Sequence, residues 1–273
     1  MPSIVRNLLN ITSYLVKNVY NKDRIDGSVF MELTSIANPR VKQWSKYHDK
    51  KHREADQRFL VEGEHLIQEA MKAGLVETLL LNRCPYQFNF SGETLKVSDE
   101  VMKKLTSNVS LPSCIAVCIY PNQVIELGNK ILLLDDVQDP GNVGTLIRTA
   151  HSFGFDSVVL SKKSVDLYNE KLIRSTQGAI FYMPVIKAEL LEVIAECKTK
   201  SLPVYATALQ DAKPLSSFTN SASVALIMGN EGKGVSEEIL AVADDKIYIE
   251  MRTFESLNVA VAGGICMYAF RNN

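Results

Sequence analysis

Three short stretches hold the residues best suited to chemistry. "DPGNVGTLIRTA" (139–150) places Asn142 and Arg148 in a turn and the helix behind it. "IMGNEGKGV" (227–235) sets Asn230 and Glu231 among glycines, and "ESLNVAVA" (255–262) brings Ser256 and Asn258 to the head of a small-residue segment. Carboxamides, a carboxylate and an arginine orient hydroxyls and stabilise developing charge. Gly141 and Gly144 permit a tight turn and close backbone approach, and the first turn of a helix attracts anions. The nucleotide-binding patterns are missing. G-x-G-x-x-G is absent, and Gly232-Lys233 is followed by Gly234, with Ile227 where a phosphate loop needs its first glycine.

These stretches need a sheet to carry them. From 130 onward apolar strands (131–137, 156–161, 203–209, 223–229, 246–251) alternate with helices around 144–153, 168–176, 187–200 and 235–242. A last helix runs through about 256–270, with Ser256 as its N-cap and Leu257, Val261 and Ile265 on one face. Ala260, Ala262, Gly263 and Gly264 leave it smooth enough for close packing. The alternation predicts an α/β domain, a mostly parallel sheet with helices on both faces. Leu146, Ile147, Ala150 and Phe153 form the buried stripe of the helix after the first turn, and Arg148 falls off it. Ligands of such sheets bind beyond the carboxyl ends of the strands, where all three stretches fall. Each loop alone reads as an ordinary strand-to-helix turn. Three of them over one sheet argue for one shared ligand site.

Residues 31–120 read as a separate small α/β unit: a strand entering a helix over 59–75, a strand over 76–82, a helix capped by Ser98, and a strand over 114–120. Residues 121–129, from proline to Gly-Asn, read as a linker, and 130–273 as the second domain. Residues 1–30 read as an N-terminal extension, disordered or an artefact of cloning or start-site choice, with Met31 as a second plausible start.

Net charge is −1, with 46% apolar and 22% charged residues, so no chain-wide basic field exists and any nucleic-acid face must be local. Five scattered cysteines predict reduced thiols and a cytoplasmic setting. No CxxC pair or His/Cys cluster predicts a metal site, and no apolar run approaches the roughly 20 residues of a membrane span. The local basic candidate is 40–58, "RVKQWSKYHDKKHREADQR", with seven Lys/Arg against three Asp/Glu and Trp44, Tyr47, His48 and His52 interleaved. Such a segment reads either as a solvated amphipathic helix or as an RNA-contacting face combining phosphate attraction with base stacking.

Together the three stretches resemble, in order and spacing across 130–270, the signature motifs of the SpoU (TrmH) family of RNA ribose 2′-O-methyltransferases in the SPOUT superfamily. Residues 35–71 also resemble that family's amino-terminal substrate-binding domain, similar in fold to a ribosomal RNA-binding protein. The resemblance implies a carboxyl-terminal trefoil knot, bent S-adenosylmethionine as cofactor, and a homodimer whose active site is completed across the interface. Carried over by motif, Asn142 and Arg148 lie on the reaction side with Glu231 and Ser256 near them, and Asn258 supports the same loops. Gly229, Ile249 and Leu257 bind the cofactor largely by backbone, and Thr207, Ala208 and Leu209 line the adenosine pocket. The loop before the third motif departs from the family. Glu250 replaces the usual proline, Thr253 stands near the expected glycine, and the loop is one residue shorter.

The implied reaction is methylation of a ribose 2′-hydroxyl. A guanidinium, with a pKa above about 12, is a poor base, so the physically easier role for Arg148 is to bind a phosphate and stabilise the developing alkoxide. The amino-terminal domain favours ribosomal RNA as substrate, with transfer RNA as runner-up. A catalytically inactive RNA-binding or ribosome-assembly factor is the alternative from another class.

Overall fold

The computed structural model describes residues 20–25, 28–121, 126–218, 222–252 and 256–271, with side chains from Glu32 onward. Most of the 1–30 extension, part of the linker and Thr253 lie outside the described residues. The chain divides into two compact units, Met1–Pro121 and Asn122–Asn273.

The first unit is a six-stranded mixed sheet of order β1-β2-β5-β4-β6-β3. Its strands are β1 (Tyr20–Ile25), β2 (Ser28–Leu33), β3 (Arg58–Glu62), β4 (Val76–Leu81), β5 (Glu93–Val97) and β6 (Cys114–Ile119). β1 and part of β2 come from the segment set apart in the sequence, and β2 joins β5 in parallel. Helices α1 (Pro39–Trp44), α2 (Lys50–Asp56), α3 (Glu64–Lys72) and α4 (Asp99–Leu105) complete the unit, with a 3-10 turn at Ser45–His48. Asn38 caps α1, Asp49 caps α2 and Ser98 caps α4, each accepting a first-turn N–H. The core gathers Leu33, Val41, Leu60, Leu80, Val101 and Ile115.

Trp44 and Tyr47 belong to that core, 5% and 3% exposed. This corrects the stacking reading for these two residues, because neither ring is open to a base, whereas His48 is exposed and His52 half-buried. The Tyr47 hydroxyl donates to Asp56 Oδ2 at 3.0 Å, and burial first, then that carboxylate, pushes the phenol up to about 12. Arg53 is also buried, with Nη1 donating to Tyr47 O at 2.5 Å. Arg40 is committed to Glu93 through Nη1 at 2.8 Å and lies over the Trp44 ring. Lys42, Lys46, Lys50 and Lys51 remain exposed.

The second unit is a seven-stranded sheet of order β11-β13-β10-β12-β7-β8-β9 in which every pair is parallel. Its elements in chain order are β7 (Lys130–Leu134), α5 (Pro140–Ser152), β8 (Ser157–Ser161), α6 (Glu170–Thr176), β9 (Val185–Ala188), α7 (Leu190–Thr199), β10 (Val204–Thr207), β11 (Lys213–Pro214), β12 (Val224–Met228), α8 (Glu237–Val242), β13 (Asp245–Tyr248) and α9 (Val259–Ala269). The central strands are apolar on both faces, as a doubly covered sheet requires. Ile131, Leu133, Val204 and Ile227 face α7 and α8 in one core cluster, while α5 and α9 pack together. Gly263 makes that packing possible, since a Cβ there would lie 2.3 Å from Leu146 Cδ2. The strand order, with the late strands β12, β10 and β13 on one side of β7 and β8 and β9 on the other, is consistent with the knotted carboxyl end expected of this domain.

Several boundaries differ from the sequence reading. Leu127 is buried in the second core and accepts a hydrogen bond from Ser157 Oγ at 2.6 Å, so this unit begins inside the expected linker. The helix expected over 187–200 contains the end of an edge strand, β9, before α7 begins. Lys130 is 2% exposed, and its ammonium donates to the carbonyl of Phe270, the C-cap of α9, at 2.5 Å. Burial pushes that lysine down while Asp156 pulls it back up.

Candidate active site

The strand expected over 131–137 stops at Leu134 because Asp135 and Asp136 are diverted to the loops above the sheet. Asp135 is 8% exposed and accepts Ser236 N at 2.8 Å, drawing in the end of the glycine loop that follows β12. Asp136 adopts φ 56°, the left-handed region that aspartate tolerates better than most residues. Its N–H donates to Ser161 Oγ at 2.9 Å, and its carbonyl accepts Asn230 Nδ2 at 2.8 Å. Asp139 then caps α5, with Oδ1 accepting Asn142 N at 2.9 Å and Pro140 in the first helical position. The helix therefore begins four residues before the expected start, and Asn142 lies in its first turn.

Above this frame three predicted residues meet. Asn142 Nδ2 donates to Glu231 Oε1 at 3.0 Å, and Asn142 Oδ1 accepts Asn258 Nδ2 at 3.0 Å. Backbone N–H groups of Asp139 (3.2 Å) and Gln138 (3.4 Å) also donate to the Glu231 carboxylate. Burial pushes the Glu231 carboxyl up, but the Asn142 amide and the backbone N–H groups more than offset it and hold it below the usual range. Glu231 is thus an anion that orients the Asn142 amide, which in turn fixes the rotamer of Asn258. The glycine loop is rigid at its root. A Cβ on Gly229 would lie 2.1 Å from backbone atoms of Gly234 and Val235. Asn230 closes the loop, with Oδ1 accepting Gly232 N and Lys233 N at 3.0 and 3.1 Å.

Asn258, rather than Ser256, is the N-cap of α9, with Oδ1 accepting Ala260 N at 2.9 Å. Ser256 is exposed and joins none of these bonds among the described residues. Arg148 is exposed on α5, one helical neighbour from Thr145. Among the described residues its guanidinium makes no hydrogen bond or ion pair. Asn142 and Asn258 line an open groove of about 810 Å3 between α5 and α9, together with Thr145, Thr149, Val261 and Tyr268.

The expected cofactor residues fall at adjacent strand ends. Thr207 ends β10, Gly229 follows Met228 of β12, and Ile249 follows Tyr248 of β13, in the sheet order β13-β10-β12. These three positions are therefore neighbours along the carboxyl edge of the sheet. Some of their groups are already used. Thr207 Oγ1 donates to Ile227 O at 3.1 Å and Ala208 N donates to Ile247 O at 3.0 Å. Leu209 and Leu257 are 65% and 37% exposed, apolar side chains of the kind that cover a purine or a thioether. This set of backbone carbonyls, a rigid glycine loop and apolar covers fits S-adenosylmethionine. Glu250, in the departing loop, accepts a hydrogen bond from Ser216 Oγ.

Sequence reasoning passed over Asp139 as a functional residue, although Asp before Pro marks a helix start. It also missed Lys171, whose ammonium donates to Asp139 Oδ2 at 2.9 Å from another helix, and which no local pattern signals.

Comparison with known proteins bears on the whole assembly. Residues 129–268 match the profile of the SpoU rRNA Methylase family, and residues 38–116 match that of the MRM3-like substrate binding domain. The chain is 40% identical to the 23S rRNA (guanosine(2553)-2′-O)-methyltransferase RlmP of Bacillus subtilis, over 88% of this chain and 99% of that protein. A crystal structure of an RNA 2′-O ribose methyltransferase is 29% identical and superimposes with a TM-score of 0.76, covering 88% of this chain and 97% of the other. An AdoMet-bound rRNA methyltransferase from Sinorhizobium meliloti is 28% identical with a TM-score of 0.77, covering 87% and 96%.

Proposed function

The chain belongs to the SpoU rRNA Methylase family, and on that premise we propose that it transfers the methyl group of S-adenosylmethionine to a ribose 2′-hydroxyl of structured RNA, ribosomal RNA first. The observation that carries the reading is the hydrogen-bonded set Asn142–Glu231–Asn258, which joins the segments that follow β7, β12 and β13 at the carboxyl edge of one sheet. Bound S-adenosylmethionine supplies an electrophilic methyl on a sulfonium. The chain's own residues align, shield and stabilise. The ends of β10, β12 and β13 hold the cofactor by backbone at Ala208, Gly229 and Ile249, and Leu209 and Leu257 exclude water from it. Asn142, fixed by ionised Glu231, presents its amide to the ribose. Arg148 would bind the adjoining phosphate and stabilise charge on the ribose oxygen as the O–CH3 bond forms, the S–CH3 bond breaks with its electron pair left on sulfur, and the hydroxyl proton passes to water.

A second copy of the chain covers the α5–α9 groove in this reading. Val261, Ile265 and Tyr268 stand 52%, 39% and 54% exposed along one face of α9, an apolar stripe that a monomer leaves in water. The same packing brings Arg148 toward a site completed by the partner. Light scattering at micromolar concentration checks this, and a monomer contradicts it. Among the described residues no helix is long and apolar enough to cross a membrane, and no cluster of His, Cys, Asp and Glu is gathered for a metal. The reaction needs neither, and the cytoplasm is the proposed setting.

The deciding experiment is transfer of labelled methyl from S-adenosylmethionine to unmodified ribosomal and transfer RNA in parallel, followed by mapping of any 2′-O-methyl nucleotide. Label in ribosomal RNA supports the reading, and label only in transfer RNA moves the substrate. Cofactor and RNA binding without label in either leaves an RNA-binding assembly factor.

A further inference from the structure

We infer that Lys171 is a positioning residue for methyl transfer, acting through Asp139 on Asn142. The inference rests on the methyltransferase reading above and deepens it.

The Asp139 carboxylate divides its two oxygens. Oδ2 accepts the Lys171 ammonium at 2.9 Å, and Oδ1 accepts the backbone N–H of Asn142 at 2.9 Å. The Asp139 backbone N–H donates to Glu231 Oε1, the same oxygen that receives the Asn142 side-chain amide. Lys171 thus sits at the outer end of a continuous chain of charge and hydrogen bonds that ends at the amide presented to the ribose. The Lys171 bond, followed by that from Asn142 N, holds the Asp139 carboxyl below the usual range, so both oxygens stay acceptors.

The lysine is delivered from a rigid support. Asn169 caps α6 by accepting Lys171 N at 2.9 Å. A Cβ on Gly144 would lie 2.4 Å from Ser175 Cβ and 2.9 Å from Leu172 O, so α5 and α6 touch with no room to slide. Gly141 passes beneath the pair, where a Cβ would lie 2.8 Å from Asp139 Oδ1 and 3.8 Å from Lys171 Cε. The two side chains are 57% and 45% exposed, and ion pairs that open contribute little to stability. Orientation of the Asp139 carboxylate is what the pair adds.

The test measures steady-state methyl transfer by the full chain to whichever unmodified RNA the wild type labels. The variants are Lys171→Met, Lys171→Arg, Asp139→Asn and the Lys171→Met/Asp139→Asn double. Asparagine keeps the cap while removing the charge, and thermal melting confirms that each variant is folded. Lys171→Met lowers kcat about tenfold, as small misplacements at a reacting centre do, with KM for RNA and cofactor unchanged. Lys171→Arg restores most of the turnover, and the double variant is no slower than Asp139→Asn alone. Unchanged kcat in Lys171→Met overturns the inference. So does a raised KM for RNA with a flatter salt dependence and effects that add to Asp139→Asn, which makes Lys171 a phosphate contact. A wild type that labels no RNA overturns the methyltransferase reading itself, and the positioning role with it.

Discussion

The loops over the second sheet and the basic segment of the first unit were equally suggestive as strings of letters, and the fold treats them in opposite ways. In the loops, polar residues far apart in sequence meet: Asn142 bonds Glu231 and Asn258 across separations of 89 and 116 residues. In the basic segment, several side chains that looked available for RNA are committed within the unit, while Lys42, Lys46, Lys50 and Lys51 stay exposed. Trp44 and Tyr47 are core, Arg53 is buried beneath Tyr47 O, and Arg40 is tied to Glu93. The difference lies in what each residue type leaves open. A carboxamide or carboxylate at a strand end has to find polar partners. An aromatic ring serves stacking and core packing equally well, and apolar periodicity alone does not choose between them.

Four measurements break or sharpen this contrast. Trp44→Ala removes a large buried ring and is expected to cost about 3–5 kcal/mol of stability in the first unit, read as a fall in Tm. An unchanged Tm with weakened RNA binding would return the ring to a stacking role. Arg148→Ala, by contrast, removes an exposed side chain whose guanidinium makes no hydrogen bond or ion pair among the described residues. It is expected to leave Tm in place and lower kcat about 10²–10³-fold, the range for losing a donor that stabilises developing oxyanion charge. Near-normal turnover with intact cofactor binding would strip Arg148 of its role. Gly263→Ala drives a Cβ into Leu146, and overpacking of this kind costs about 1–3 kcal/mol, read in denaturant melts. The smallest effect belongs to Lys50→Glu with Lys51→Glu. If the exposed lysines meet phosphates, RNA affinity falls and the salt slope flattens by about 1 per lost contact. An unchanged slope makes the segment a solvated face.

The pH dependence follows from the two carboxylates of the loops. Asp139 and Glu231 both titrate below their unfolded values, so the stabilisation they give is complete above the ordinary carboxylate range. It is lost only as pH falls through their depressed folded values. The loops should therefore keep their geometry through neutral and mildly acid pH.

The second unit was the more legible one. Its central strands are continuous apolar runs, and the glycine turns mark their ends. What escaped was whatever depended on a partner distant in sequence. β7 ends early because Asp135 is used by Ser236 N, 101 residues away. β9 is four half-buried residues on a sheet edge, without a strong pattern of its own. In the third motif both Ser256 and Asn258 are good capping types, and only the position of the first helical turn selects Asn258. Lys171 was invisible because an ion pair across two helices leaves no local trace.

The Lys130–Phe270 bond joins the first strand of the second unit to the end of its last helix, 140 residues apart. Synthesis places that lysine 140 residues ahead of the carbonyl that receives it. Until α9 (Val259–Ala269) is made, the strand cannot bury its ammonium against this carbonyl. A chain shortened by its last helix should therefore leave that ammonium without this partner and lower the stability of the strands made first, read as a fall in Tm.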